Sequence, residues 1–224
     1  MKRLATFLLS LILALPAAAE VATWKIDPAH STAEFSVRHL MVSRVKGRFE
    51  KLSGTVVGDL SDPTGAKVEV TIDAASIDTA NADRDDHLRS ADFFEVETWP
   101  TITFVSKRIE KGGKGLRMIG DLTMHGVTRE VTLEVEGPAR QVQAGRSVRS
   151  GASATTRINR RDFGLTWNRA VEAGGIAVGN DIDIGIEVEL IRQDPPPATA
   201  AQFADPPPDR DGSATGALPT SRSR

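Results

Sequence analysis

The chain has 224 residues, with 28 Lys and Arg against 30 Asp and Glu, a formal net charge of −2 that becomes −4 when Lys2 and Arg3 are set aside. That mild acidity argues against nucleic acid as a partner, because nucleic-acid binding needs a basic surface. Cysteine is absent, which excludes thiol catalysis, disulfide staples and the lipid-modified cysteine of an anchored lipoprotein, and leaves the fold to a hydrophobic core.

The first element is MKRLATFLLSLILALPAAAE, in which Lys2 and Arg3 precede an apolar run from Leu4 to Leu15, then Pro16 and Ala17-Ala18-Ala19. This is the pattern of a secretory signal peptide over residues 1–19, with cleavage expected after Ala19 and a periplasmic location for the mature protein. The apolar run is roughly 12 residues, whereas a spanning helix needs about 20. One folded domain is expected over residues 20–192.

Within it, side chains alternate with the period of two that marks strands. AEFSVRH sets Ala33, Phe35 and Val37 against Glu34, Ser36 and Arg38. DPTGA, from Asp62 to Ala66, reads as a loop, and AKVEVTID then sets Val68, Val70 and Ile72 against Lys67, Glu69 and Thr71. TITFVS places Ile102 and Phe104 on one face, KGGKG at Lys111 to Gly115 is a hairpin turn, and MHGV at Met124 to Val127 is another. His and Gly both suit the positive φ that such a turn requires. GVTREVTLEVEG puts Val131, Leu133 and Val135 together, and DIDIGIEVEL sorts Ile182, Ile184, Ile186, Val188 and Leu190 from Asp181, Asp183, Glu187 and Glu189. Such runs at regular spacing predict an antiparallel barrel or sandwich.

One stretch breaks the rhythm: NADRDDHLRSADFF, Asn81 to Phe94. Asn81 is a helix N-cap, Asp83 suits the first turn, and Asp85 with Arg89 is spaced as a helical ion pair. A short helical segment near residues 82–94 is expected, burying Leu88, Phe93 and Phe94. Asp83 and His87 share a face and offer two ligands or a proton-transfer pair. A catalytic zinc needs three ligands, and His30, His39 and His125 have no ligand spacing, so no metal and no cofactor is expected. No zincin, CxxC, GxSxG or phosphate-loop pattern occurs. GGIAVGN, Gly174 to Asn180, precedes a strand and reads as a loop. The strand carboxylates alternate with apolar residues and face solvent, unlike a glycosidase pair.

The last element, residues 193–224, carries two DPPP blocks and almost nothing large and apolar. It is expected to be a disordered, Pro-rich tail.

Taken together, WKIDPAHSTAEFSVRHLMVSRVKGRF (Trp24 to Phe49), RDDHLRSADFFEVETWPTITFVS (Arg84 to Ser106), GDLTMHGVTREVTLEV (Gly120 to Val135), RINRRDFGL (Arg157 to Leu165) and VGNDIDIGIEVEL (Val178 to Leu190) resemble the YceI-like family of bacterial polyisoprenoid-binding proteins. The resemblance implies an all-β fold, an extended lipocalin-like antiparallel barrel of about eight strands with a long apolar channel. It implies an exported carrier for a polyisoprenoid, quinone-like or fatty-acyl lipid, and not an enzyme. The residues expected along the channel are Phe35, Val37, Val68, Val70, Ile72, Phe93, Phe94, Ile102, Phe104, Met118, Leu122, Phe163, Ile182, Ile184 and Ile186. Periodicity alone does not decide whether those faces enclose a ligand or pack solid. Transient membrane contact, a membrane redox partner and a homodimer are further expectations. The alternative is an enzyme acting on a lipid-like substrate through the Asp83/His87 face or His125.

The tail contributes little apolar area, so deletion of residues 193–224 is expected to leave the thermal midpoint nearly unchanged. A calorimetric scan of the shortened chain checks this.

Overall fold

The computed structural model describes residues 20–113, 115–170 and 176–193. The expected signal peptide and tail lie outside the described residues, apart from Gln193, which ends the last strand and pairs with Thr23.

The strands are β1 (Ala22–Ile26), β2 (Thr32–His39), β3 (Ser43–Phe49), β4 (Leu52–Gly58), β5 (Lys67–Asp73), β6 (Ile77–Asp78), β7 (Thr101–Lys111), β8 (Leu116–Met124), β9 (Val127–Glu136), β10 (Val142–Ala144), β11 (Ser147–Asn159) and β12 (Val178–Gln193). One helix, α1 (Ala82–Arg89), interrupts them. Eight strands close into an antiparallel barrel in the order β9-β8-β7-β5-β4-β1-β12-β11 and back to β9. The closing pairs include Ala154 with Val135 on one side of β11 and Thr156 with Ile184 on the other.

The remaining strands extend the sheet, and the reason is the length of β12. Its 16 residues span roughly 50 Å at about 3.3 Å per residue, enough for two partners end to end on one edge. β1 takes Leu190 to Gln193, and β2 takes Val178 to Glu187. β2 then leads into β3 and β6 as a flap beyond the closed barrel. Between β1 and β2 the chain jogs through a 3-10 turn at Pro28–His30. There the ladder is completed by Asp27 N–H on the Glu189 carbonyl at 2.8 Å and by Glu189 N–H on Ser31 Oγ at 3.0 Å. Arg149 from β11 donates to the carboxylates of both Asp27, at 2.8 Å, and Glu189. His30 Nδ1 lies 3.0 Å from Asp27 Oδ2. The His30 hydrogen bond first, then Arg149 and the Ala29 N–H, hold the Asp27 carboxyl down to about 2.

The turn at His125-Gly126 has φ of 51° and 71°, as the sequence predicts. Gly126 is required on a second ground: a Cβ there would stand 2.6 Å from the Trp99 ring.

The helical segment forms with Asn81 as its N-cap, its side chain accepting from Arg84 N–H at 2.9 Å. The expected Asp85–Arg89 pair does not form. Asp85 is buried and accepts from the N–H and hydroxyl of Thr79. Arg84 also bonds Thr79, through its hydroxyl and its carbonyl. Arg89 reaches instead to the carbonyls of Ala75 and Ile77 and pairs with Asp86. The spacing suits an ion pair, but the two Thr79 donors take Asp85, and the partly buried Arg89 guanidinium has carbonyl partners of its own.

Two outcomes follow. Asp85→Ala leaves the buried Thr79 donors unsatisfied and is expected to cost about 1–3 kcal/mol in chemical denaturation. Asp27 titrates below its unfolded value of 3.8, so its contribution is fully present above about pH 4 and is lost as pH falls through about 2. The stability difference between wild type and Asp27→Asn is therefore expected to shrink as pH falls from about 4 towards 2, read by denaturant titration at several pH values. Carboxylates remote from Asp27 cancel in that difference.

Candidate functional site

The barrel strands turn alternate residues inward, and the inner faces leave space between them. They enclose an apolar cavity of about 260 Å³. Its walls are Phe35 and Val37 of β2, Val68, Val70 and Ile72 of β5, and Ile102 and Phe104 of β7. Met118 and Leu122 of β8 and Ile182, Ile184 and Ile186 of β12 continue it. Phe93 and Phe94, after α1, close one part of the wall. The cause of the unfilled volume is visible in β11, which presents Ala152, Ala154 and Thr156 where the other strands present branched or aromatic residues. Small side chains on one wall leave a deficit that the opposite wall cannot cross.

Two glycines shape the interior. A Cβ at Gly47 would lie 2.5 Å from the Phe35 ring, and one at Gly120 would lie 2.5 Å from the Phe104 ring. Each ring lies over a glycine on the neighbouring strand, which lets it lean along the wall instead of crossing the lumen. Phe35, Phe49 and Phe94 form a chain of ring contacts at 5.8 and 5.7 Å that ties the flap to the segment after α1.

Of the residues expected along the channel, Phe163 alone is absent from this lining. It is 2% exposed and packs with Ile77, Met124 and Ile158. It belongs to a 3-10 turn, Arg160–Phe163, where strand alternation does not apply. The sequence reading missed Leu52 and Val56 of β4, whose alternation is blurred by Val57, and Ile109 of β7. Ile109 has the opposite parity to Phe104 because a bulge at Ser106–Arg108 inserts one residue. The Ser106 hydroxyl accepts the Val68 N–H there at 2.8 Å. The reading also missed Arg160, a buried cation in the lining.

The polar candidates lie elsewhere. His87 Nε2 is 2.8 Å from Asp92, and its ring meets Phe93 and Trp167 edge-on. Asp83 and His87 both lie in α1, four residues apart, and the carboxylate that His87 pairs with is Asp92, which follows the helix. His125 lies 3.6 Å from Glu95 Oε2 and 3.3 Å from the Phe163 carbonyl. Asp27, His30 and Glu189 bring one ligand atom each within 4.8 Å of one another. Arg149 already supplies the positive charge between the two carboxylates.

The YceI-like domain matches residues 24–190. A UPF0312 protein of Staphylococcus aureus (strain MSSA476) is 40% identical over 166 residues, 73% of this chain and 94% of that protein. Among solved structures, the Campylobacter jejuni YCEI protein superposes with a TM-score of 0.60 at 32% identity, covering 70% of this chain and 90% of the other. Burkholderia cenocepacia BcnA gives 0.62 at 25% identity, covering 73% and 98%. A polyisoprenoid binding domain from Saccharophagus degradans gives 0.56 at 16% identity, covering 78% and 100%, a likeness of fold.

Ile184 tests the cavity directly. In a close-packed core, Ile184→Trp would cost about 1–3 kcal/mol or more. In this barrel the indole has space to enter, so the variant is expected to keep its thermal midpoint and to lose bound lipid on extraction. A strongly destabilised variant would mean that the wall at Ile184 is packed solid.

Proposed function

The chain belongs to the YceI-like domain family, a binding-protein fold, and from that premise we propose that it is an exported carrier holding a long-chain lipid, polyisoprenoid, quinone-like or fatty-acyl, in its barrel. The observation that carries this reading is the continuous apolar cavity, walled by nearly every strand of the barrel. The name of the Saccharophagus degradans domain points the same way. Export to the periplasm is supported by the sequence of residues 1–19.

Magnitudes favour a guest. A cavity of about 260 Å³ that held nothing would cost on the order of 6 kcal/mol at roughly 24 cal/mol per Å³. That is a large share of the ~5–15 kcal/mol by which domains are stable. Each CH₂ taken from water contributes about 0.8 kcal/mol. Against a bilayer, which is equally apolar, that advantage nearly vanishes. The energetics therefore suit exchange with a membrane better than permanent storage.

A contact point for that exchange is the β2–β3 hairpin tip. Leu40, Met41 and Val42 are exposed there, Val42 by 81%. Leu40 and Met41 hold φ of 51° and 62°, conformations uncommon for bulky residues. Arg38 and Lys46 stand exposed on the flanking strands. Apolar residues ringed by cations suit an anionic bilayer surface.

Native mass spectrometry of protein purified from a periplasmic fraction is expected to show a bound long-chain lipid. A clean apo mass, with no uptake of an added polyprenol, quinone or fatty acid, would overturn the carrier reading. Replacing Leu40, Met41 and Val42 together by Ser is expected to slow lipid transfer from phosphatidylglycerol vesicles while equilibrium lipid affinity stays the same.

A further inference from the structure

Arg160 begins the 3-10 turn after β11 and is 3% exposed. Its side chain lines the apolar cavity along with Ile158, Leu165 and Val178. Nε donates to the Gly179 carbonyl at 2.9 Å, and Nη1 donates to the Leu165 carbonyl. Nη2 is buried and meets no acceptor among the described residues. Among the described residues no carboxylate pairs with this guanidinium, and the charge that acts on it is the like charge of Arg161. Burial first, and Arg161 second, pull its pKa down, yet a guanidinium keeps its proton at any physiological pH.

A purely structural clip between Leu165 and Gly179 needs two N–H donors, and two are in use. It needs neither the third nitrogen nor the charge. A buried cation with a free donor and no counter-charge is unfavourable unless something completes it. In the wall of a lipid cavity, the group with matching chemistry is the polar end of the lipid.

We propose that Arg160 is the headgroup anchor of this barrel, its Nη2 and uncompensated charge receiving an anionic oxygen, carboxylate or phosphate, at the end of a long apolar chain. The proposal rests on the lipid-carrier reading and adds the chemistry of the headgroup and the direction of the guest. Leu40 N–H donates to the Ala177 carbonyl at 2.9 Å, and His39 pairs with Val178. The anchor at Gly179 therefore lies at the end of the barrel that carries the exposed hairpin tip. The apolar chain runs away from it, towards Leu60, Ala66 and Leu190. Nη2 has no solvent-exposed surface, so the headgroup must part the side chains around it as it arrives.

The test uses the delipidated full chain and two matched pairs: geranylgeranyl phosphate with geranylgeraniol, and oleate with oleyl alcohol. Affinities are read by displacement of a fluorescent fatty-acyl probe. Wild type is expected to prefer an anionic member over its alcohol by about tenfold or more, the worth of one charge-assisted hydrogen bond. The pair that shows the larger preference identifies phosphate or carboxylate. Arg160→Gln is expected to abolish the preference while holding alcohol affinity within about threefold. Should Arg160→Gln fail to fold, the side-chain arginine NMR resonances of wild type decide: a shift of the Arg160 signal with the anion but not the alcohol supports the anchor. Equal affinity for acid and alcohol in wild type, a preference that survives Arg160→Gln, or an unmoved Arg160 signal overturns it while leaving the carrier reading intact. If wild type takes up neither member of either pair, the carrier reading fails and the anchor fails with it.

Discussion

The pairing of β11 with β12, unbroken from Arg149–Ile191 to Asn159–Asp181, is the constraint on which the rest of the molecule depends. Without it the strands form an open sheet with two free edges and one apolar face exposed to water. With it, alternate residues of eight strands point into a shared, apolar interior. β12 also has the length to carry a second partner beyond the barrel. The flap of β2, β3 and β6 is therefore a consequence of the same strand that closes the cylinder. The cluster of Arg149, Asp27 and Glu189 sits where β1 gives way to β2 along its edge. Ionic bonds there join the three segments at the place where backbone pairing is interrupted.

Closure makes an interior, but it does not make a cavity. An eight-stranded barrel is just wide enough either to fill itself with side chains or to hold a small guest. The choice is made by side-chain volume, and β11 makes it by presenting alanines to the lumen. Gly47 and Gly120 contribute by letting Phe35 and Phe104 lie along the wall. The protein thus gives up core packing that its length would otherwise allow.

The interior is also asymmetric in chemistry. One end is walled by aliphatic groups such as Leu60, Ala66 and Leu190, in one core cluster with Trp24. The other holds Arg160, whose guanidinium bonds the carbonyls of Leu165 and Gly179 beside the cavity wall. That same end carries the Leu40–Val42 tip and the chain of phenyl contacts running through Phe94. An apolar tube with one buried cation would orient an anionic lipid of the kind proposed, which a uniformly apolar tube would not.

The sequence by itself determined the strand alternation, the positions of the turns and the helix cap at Asn81, and together with the family resemblance it named most wall residues. These are local properties: a period of two, a φ preference or a cap depends on neighbours a few residues away. The resemblance to the YceI-like family supplied the closed barrel, which periodicity could not. Only the tertiary structure decided that Ile109 faces inward past a bulge, that Phe163 packs outside the lining, and that Asp85 serves Thr79 instead of Arg89. It alone brought Asp27, Arg149 and Glu189 together, and it alone left Arg160 buried beside the cavity with no counter-charge among the described residues. Each of those outcomes depends on which groups from distant parts of the chain compete for the same space or the same hydrogen bond, and that competition is settled only when the sheet closes.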